Sequence, residues 1–596
     1  MDAACNSFQD YGKIGEPDHG HDDSFRCKSR NRKITLIVSS AIFLVAVAVG
    51  VVAGTFVHKS FKEGASSGPP PIDASVKALS GPLPIDASVK TLCSVTQYPS
   101  SCSSSIESLN TNNCTSHKEL FKLSLYVAAN DLAKLATFLK SMISNIDDER
   151  VHGALGVCQE VINGAIGKLN DSISTTTNKV ESLLTLRSID DLVTWLSAAI
   201  TDHETCLDAL SEVNATKVLD KVRELMRNST EFTSNSLAIV SKVLGIPLST
   251  YKIPIHHNRR LLGEGSSLFP KWMGHTDHKL LETANPTPDI IVAKDGTGNV
   301  TTIMEGVAKI PKKSNTRFII YVKAGEYVEN VKLDKSLTNV MMYGDGNLKT
   351  IVSGSLNFVD GTPTFSTATF AVMGGGFIAR DIGFVNTAGA AKHQAVALIS
   401  GADQSVFYRC SFNAFQDTLY TYSGRQFYRD CSIIGTVDFI FGNAAVVFQN
   451  CSILPRQPLP GQFVALTAQG KTDPNQNTGI VIQKCTLTPF DSLTSQAYLG
   501  RPWKNYSTTV FMQTQIGSFL NPAGWISWDT NVDPPDTILY AEYMNEGPGS
   551  DTTKRVTWAG YKPNLSTNEA SKFTVKSFID GTSWLPETNV TFDDSL

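Results

Sequence analysis

Phe407-Tyr408-Arg409-Cys410-Ser411-Phe412 leads to Phe415-Gln416-Asp417-Thr418-Leu419, and one period later Phe427-Tyr428-Arg429-Asp430-Cys431-Ser432-Ile433 leads to Asp438-Phe439-Ile440-Phe441-Gly442. The phrase returns as Phe448-Gln449-Asn450-Cys451-Ser452-Ile453 and as Ile482-Gln483-Lys484-Cys485-Thr486-Leu487, and an earlier version without cysteine reads Phe377-Ile378-Ala379-Arg380-Asp381-Ile382. The cysteines step by 21 and then 20 residues, with polar and apolar residues alternating inside each unit. That pattern predicts a β-solenoid whose coils stack as parallel strands about 4.8 Å apart. Asp417 and Asp438 each lie seven residues after a cysteine. Equal phase on adjacent coils makes them neighbours, so the spacing predicts a site with two carboxyls side by side.

Outward from this segment, short β-rich runs begin after Pro286, among them Ile290-Ile291-Val292 and Phe318-Ile319-Ile320-Tyr321-Val322, with Gly and Asn between them. Residues 286–596 therefore read as one solenoid domain, with a less regular C-terminal stretch packed across it as a cap. Residues 91–245 have a different texture. Leu120, Phe121, Leu123, Leu125 and Leu132, Leu135, Phe138, Leu139 recur at helical spacing, and no Pro falls between 101 and 246. An antiparallel four-helix bundle is the economical reading. Cys93 and Cys102 are placed to pin a helical hairpin, and Cys158 and Cys206 to tie two later helices, which leaves Cys114 unpaired.

Residues 246–285 read as a linker in which Arg259-Arg260 offers a protease an exposed dibasic site. Residues 58–90 are a second linker, holding Pro-Ile-Asp-Ala-Ser-Val-Lys twice. Residues 34–57 carry no charged side chain and exceed the roughly 20 needed to span a bilayer as a helix. Arg26, Lys28, Arg30, Arg32 and Lys33 precede them, so the reading is a transmembrane signal-anchor with residues 1–33 as a cytoplasmic tail.

The chain has 596 residues and a net charge of −4, which argues against a nucleic-acid partner. Eleven cysteines and nine Asn-x-Ser/Thr sequons, Asn299 and Asn450 among them, point to the secretory pathway. The histidines show no ligand spacing and no loop cradles a phosphate, so neither a metal nor a cofactor is expected.

Five strings, Gly325-Glu326-Tyr327-Val328-Glu329, Gln394-Ala395-Val396-Ala397-Leu398, Phe415-Gln416-Asp417-Thr418-Leu419, Asp438-Phe439-Ile440-Phe441-Gly442 and Leu499-Gly500-Arg501-Pro502-Trp503, resemble in order the signature segments of plant pectin methylesterases. The helical region resembles the inhibitor-type pro-domain many of these proteins carry, and the dibasic stretch resembles the family's processing motif. The resemblance implies a right-handed parallel β-helix catalytic domain, which the readings above place after an all-α four-helix bundle and a single transmembrane helix. It implies hydrolysis of the methyl esters of homogalacturonan to pectate and methanol, with Asp438 as nucleophile and Asp417 as general acid, then base.

The residues support that chemistry independently. A carboxylate can attack an ester if a second carboxyl, kept protonated, donates to the leaving alcohol, and two close carboxyls resist double ionisation. Arg501 suits an ion pair with Asp438, and Gln394 and Gln416 suit a tetrahedral oxyanion. Trp503, Trp525 and Phe415 offer flat faces to sugars, and family matching adds Thr364 as a substrate contact. Glu329 and Tyr327 read as structural. In-phase cysteines fall within disulfide range, so Cys431 could pair with Cys410 or Cys451; the family pattern favours Cys431–Cys451. Phe415 departs from the tyrosine commoner in the family.

Two other readings fit parts of the pattern: a pectin depolymerase on the same architecture, and an inhibitory protein acting through its helical region. Expected partners are pectin, inhibitor proteins, a processing protease and, through the anchor, a membrane. A monomer is expected, passing through the Golgi to the cell wall. From Gly263 onward 26 Lys and Arg stand against 29 Asp and Glu, a net of −3. This domain should therefore be retained weakly on de-esterified pectin at low salt. Tight, salt-reversible retention on a pectate column would contradict that expectation.

Overall fold

The computed structural model describes residues 85–111, 114–177, 184–244, 286–529 and 532–596. The anchor expected at 34–57, its flanking segments and the linker 246–285 with its processing site lie outside the described residues. Among the described residues no helix is long and apolar enough to cross a membrane.

The N-terminal region is helical. Two short helices, α1 (Ile85–Cys93) and α2 (Pro99–Leu109), precede four long ones: α3 (His117–Ile143), α4 (Glu149–Thr177), α5 (Leu186–Glu212) and α6 (Thr216–Ile239). Their starts follow from local chemistry. Pro99 opens α2, where a missing N–H costs nothing. The Asp148 carboxylate accepts from the N–H groups of Arg150 and Val151 at the head of α4. Thr185 caps α5 through Ser188 N–H at 3.1 Å. Each long helix packs against two of the others around Leu120, Phe121, Leu155, Ile162, Leu192, Leu196 and Val222, all fully buried. Disulfides join Cys93 to Cys102 and Cys158 to Cys206, as the spacing suggests. Cys114 remains a thiol.

From Ile290 the chain winds into three sheets of eleven, eight and seven strands, and every strand pair is parallel. The register is the one the repeat requires. Phe407 pairs with Tyr428, Tyr428 with Phe448, Phe448 with Ile482 and Ile482 with Phe511. Inside the coils the rings of Phe407, Tyr428 and Phe448 stack with centroids 4.6 and 4.5 Å apart, close to the strand spacing itself. Beyond Phe448 the period lengthens, and the additional residues form loops outside the coils. At one corner Asp381, Arg409, Asp430, Asn450, Lys484 and Gln513 adopt φ between 52° and 58°. This left-handed step turns each coil from the eleven-stranded to the eight-stranded sheet.

The corner also decides the cysteines. Cys410, Cys431, Cys451 and Cys485 follow four of these left-handed residues and stack inside the solenoid as buried, separate thiols. The expected Cys431–Cys451 disulfide is therefore not formed here. Equal phase meets the Cα requirement, but the shared geometry aims every sulfur at backbone carbonyls. Cys431 Sγ donates to Phe407 O at 3.3 Å, and Cys451 Sγ to Tyr428 O at 3.5 Å. Trp525 also departs from expectation: it is 1 % exposed and packs on Phe511 and Tyr540 in the core, so it cannot meet a sugar. Tyr327 is buried, and Glu329 accepts from the N–H groups of Ile303 and Met304 at the start of a short helix. Both are structural, as read.

Coil packing is tight at Gly500, where an added Cβ would lie 2.0 Å from Thr467 Oγ1 and 2.6 Å from its carbonyl oxygen. Gly500→Ala should destabilise the β domain by about 3 kcal/mol, measured by urea denaturation. A loss under about 0.5 kcal/mol would contradict this packing.

Candidate active site

The seven-stranded sheet carries the site. Asp417 precedes the strand Leu419–Thr421 and Asp438 precedes Ile440–Gly442, with Leu419 paired to Ile440 and Tyr420 to Phe441. Backbone bonds from Asp417 N–H to Val437 O (3.1 Å) and from Leu419 N–H to Phe439 O (2.9 Å) close the ladder around both aspartates. Each has positive φ, 62° at Asp417 and 51° at Asp438, a conformation Asp tolerates better than most residues. The two carboxyls line one cavity with Gln394, Thr364, Tyr420, Phe441, Trp503 and Trp528.

Arg501 lies two coils further along, on the strand Ala497–Pro502. Its guanidinium donates to Asp438 through Nε (2.9 Å) and Nη2 (2.6 Å), a bidentate pair almost wholly buried. In register Arg501 pairs with Ala468 and Ala468 with Phe441, three residues after Asp438, and the small side chain of Ala468 leaves the guanidinium a path. The indole of Trp528 sits under Arg501 at 4.2 Å and stacks on Trp503 with centroids 6.3 Å apart. Asp438 and Trp528 thus hold Arg501 from two sides.

Asp417 has the opposite environment. Burial, then the charge of Asp438 and that of Glu212, drive its pKa well above the ordinary carboxyl range, and Arg501 only partly offsets them. One carboxyl is thus paired with a cation and its neighbour is held neutral. That arrangement supplies a nucleophile or base beside an acid.

The helical region closes the cleft from the other side. Thr205, Asp208, Ala209 and Glu212 of α5 line the same cavity, which retains about 30 Å³. That admits about two waters and no sugar ring. Glu212 accepts from Thr364 N–H at 3.1 Å; burial outweighs that bond and raises its pKa to about 7. Asp208 and Glu204 pair with Lys504 Nζ at 2.6 and 3.6 Å. Tyr422 Oη donates to Asp202 at 2.7 Å, and Asn443 to Thr201.

Asp417, Asp438, Gln394, Thr364 and Trp503 therefore come together, with Arg501 on Asp438. Gln416 is buried beside Asp417 in the chain, and its amide finds no partner among the described residues. Phe415 lies under the Arg456 guanidinium at 3.9 Å and is not in the cavity wall. Trp528 takes the cleft position assigned to Trp525. Tyr420 and Phe441 went unnoticed in the sequence, although each stands three residues after an aspartate of the pair.

A parallel solenoid with a cation-paired carboxyl beside a neutral one in an indole-walled cleft suits a hydrolase that acts on carbohydrate. The family model "Pectinesterase" matches residues 289–582, and "Plant invertase/pectin methylesterase inhibitor" matches residues 87–239. Pectinesterase 3 of Phaseolus vulgaris is 58% identical over 511 residues, 85% of this chain and 86% of its own length. Probable pectinesterase/pectinesterase inhibitor 46 of Arabidopsis thaliana is 46% identical over 98% of this chain and all of its own. The structure of a pectin methylesterase from carrot is 52% identical, with a TM-score of 0.50, and covers 53% of this chain and 100% of that one. About half of this chain thus matches the whole of that one. The chain belongs to the pectinesterase family, carboxylic ester hydrolases, and carries the inhibitor-type domain ahead of the catalytic one. The depolymerase reading falls away.

Asp417 gives a pH signature. Folded, it holds its proton more tightly than in the unfolded chain, so its contribution to stability is fully present below about pH 4. That contribution is lost as pH rises toward the folded value. Asp417→Asn escapes the loss, so its urea midpoint relative to wild type should climb as the pH rises above about 4. A flat or falling difference would contradict a protonated Asp417.

Proposed function

We propose that Asp438 and Asp417 divide the pectin methylesterase reaction between them. The carboxylate of Asp438, oriented by Arg501, attacks the ester carbonyl carbon, and the carbonyl π electrons move to oxygen. Gln394 and Gln416 supply N–H donors to that oxyanion. As the C–O bond to the methoxy group breaks, Asp417 passes its proton to the departing oxygen and methanol leaves. Asp417, now ionised, takes a proton from water, whose oxygen attacks the acyl carbon. Asp438 departs as carboxylate, and the uronic acid left on the polymer gives its remaining proton to solvent and stays as free uronate. Trp503 and Trp528 hold the sugar rings, and Thr364 contacts the substrate. The observation supporting this reading is the buried bidentate Arg501–Asp438 pair beside a carboxyl kept neutral.

The helical region acts in this proposal as a four-helix bundle of inhibitor type spanning 91–245. It keeps the cleft shut until the linker 246–285 is cut, α5 filling the space a uronate needs. The anchor at 34–57 carries the uncleaved chain through the secretory pathway, and residues 286–596 act on homogalacturonan in the cell wall as a right-handed β-helix.

Methanol release from highly methylated pectin by residues 263–596 tests the roles. Asp438→Asn should lose at least about 1,000-fold in kcat, and the uncleaved lumenal chain should run far slower than the isolated domain. An Asp438→Asn variant within tenfold of wild type would remove Asp438 as nucleophile; equal rates for cleaved and uncleaved chains would remove the autoinhibition.

A further inference from the structure

Two Asn-x-Ser/Thr sequons stand at opposite ends of the solenoid. The eleven-stranded sheet ends on one side at the strand Ile290–Val292 and on the other at Tyr561–Lys562. Asn299, in Asn299-Val300-Thr301, lies along the first of these strands and is exposed. Its Oδ1 accepts from Ile291 N–H at 2.8 Å, and its own N–H reaches Ile291 O, also at 2.8 Å. The amide oxygen is thus tied to the sheet, and that bond leaves Nδ2, the atom that takes a sugar, unused. Asn564, in Asn564-Leu565-Ser566, follows the last strand by two residues and is also exposed. The next residue, Leu565, is buried and donates its N–H to Glu542 O at 3.1 Å, so Asn564 stands out from an anchored backbone. The first end also shows apolar surface. Val328, on the terminal strand of the eight-stranded sheet, is 72 % exposed, and Met304, whose N–H meets Glu329, is 39 % exposed.

We propose that Asn299 and Asn564 carry N-linked oligosaccharides, and that the two glycans keep solenoids from pairing end to end. The inference rests on the passage through the secretory pathway proposed above, where such sugars are attached. The hazard they answer is built into the fold. Each coil pairs in parallel with the next, from the first strand to the last, so the first strand of one molecule is a template for the last strand of another. A contact of that kind is head to tail, does not close on itself and extends into filaments. The exposed Val328 and Met304 would add apolar area to it. A bulky, hydrated sugar beside each terminal strand fills the space a second molecule needs. The same placement spares the chemistry. The carboxyl pair and the α5 contacts belong to the cavity on the seven-stranded sheet, whose wall contains neither asparagine. Sugars at the two ends therefore leave the cleft and the docked helices untouched.

The test isolates the chain from the medium of a plant cell culture, whole or cleaved, since both asparagines belong to the β domain. Releasing N-glycans with an amidase in heavy-oxygen water converts each glycosylated asparagine to a labelled aspartate, which peptide mass spectrometry locates. Asn299 and Asn564 should be labelled in most molecules. Thr301→Ala combined with Asn564→Gln removes both sequons and leaves in place the Asn299–Ile291 bond and the Ser566 helix cap. In sedimentation velocity this double variant should reach at least about twice the wild-type weight-average mass as its concentration rises. Thr301→Ser keeps its sequon and should sediment as wild type does. Trimming the sugars of folded wild type with an endoglycosidase should produce the same association; this arm decides the matter if the double variant fails to fold. An unlabelled Asn299 or Asn564, or a sugar-stripped form that sediments as wild type does, overturns the proposal. Recovery of the chain from the cytosol alone overturns instead the secretory passage on which the proposal rests.

Discussion

Parallel hydrogen bonding between coils leaves the site little freedom. Leu419 pairs with Ile440, and the N–H groups of Asp417 and Leu419 reach Val437 O and Phe439 O. Once that ladder forms, the two aspartates can only be neighbours. A slip of one residue would turn every side chain to the opposite face and send Phe407, Tyr428 and Phe448 out of the interior stack. The apolar core thus enforces the register, and the register delivers the chemistry. The carboxyl pair, costly to bury, is assembled by interactions that have nothing to do with ester hydrolysis.

Burying two carboxyls side by side is tolerable because they are treated differently. Asp438 has a guanidinium in bidentate contact. A buried pair of this kind is weak evidence of net stability, but breaking it strands a charge. Asp417 avoids the cost by keeping its proton. The docked helix sharpens the contrast, since Glu212 adds a further carboxyl whose own pKa climbs to about 7. Closure of the cleft therefore works through charge as well as volume.

Much of this arrangement was legible in the residues. The steps of 21 and 20 fixed the coil, the shared phase paired Asp417 with Asp438, and the cysteine spacing in the helical region named both disulfides. These features repeat locally, so a pattern can carry them. What escaped depends on direction and on distant docking. Phase brings Cys431 close to Cys451, but the left-handed corner turns the sulfurs toward carbonyls. Trp525 and Trp528 lie three residues apart, and only the folded C-terminal stretch sends one into the core and the other onto Arg501. The row of polar contacts along α5 joins residues more than 150 positions apart, and no periodicity encodes such a match.

A crystal structure of the Asp438→Asn catalytic domain with a methylated oligogalacturonate bound would examine the shared site most directly. The ester carbonyl carbon is expected within about 3.5 Å of the residue 438 side chain, with the methoxy oxygen in hydrogen-bond reach of Asp417. An ester seated against only one of the two positions, with the other turned away from it, would contradict the account.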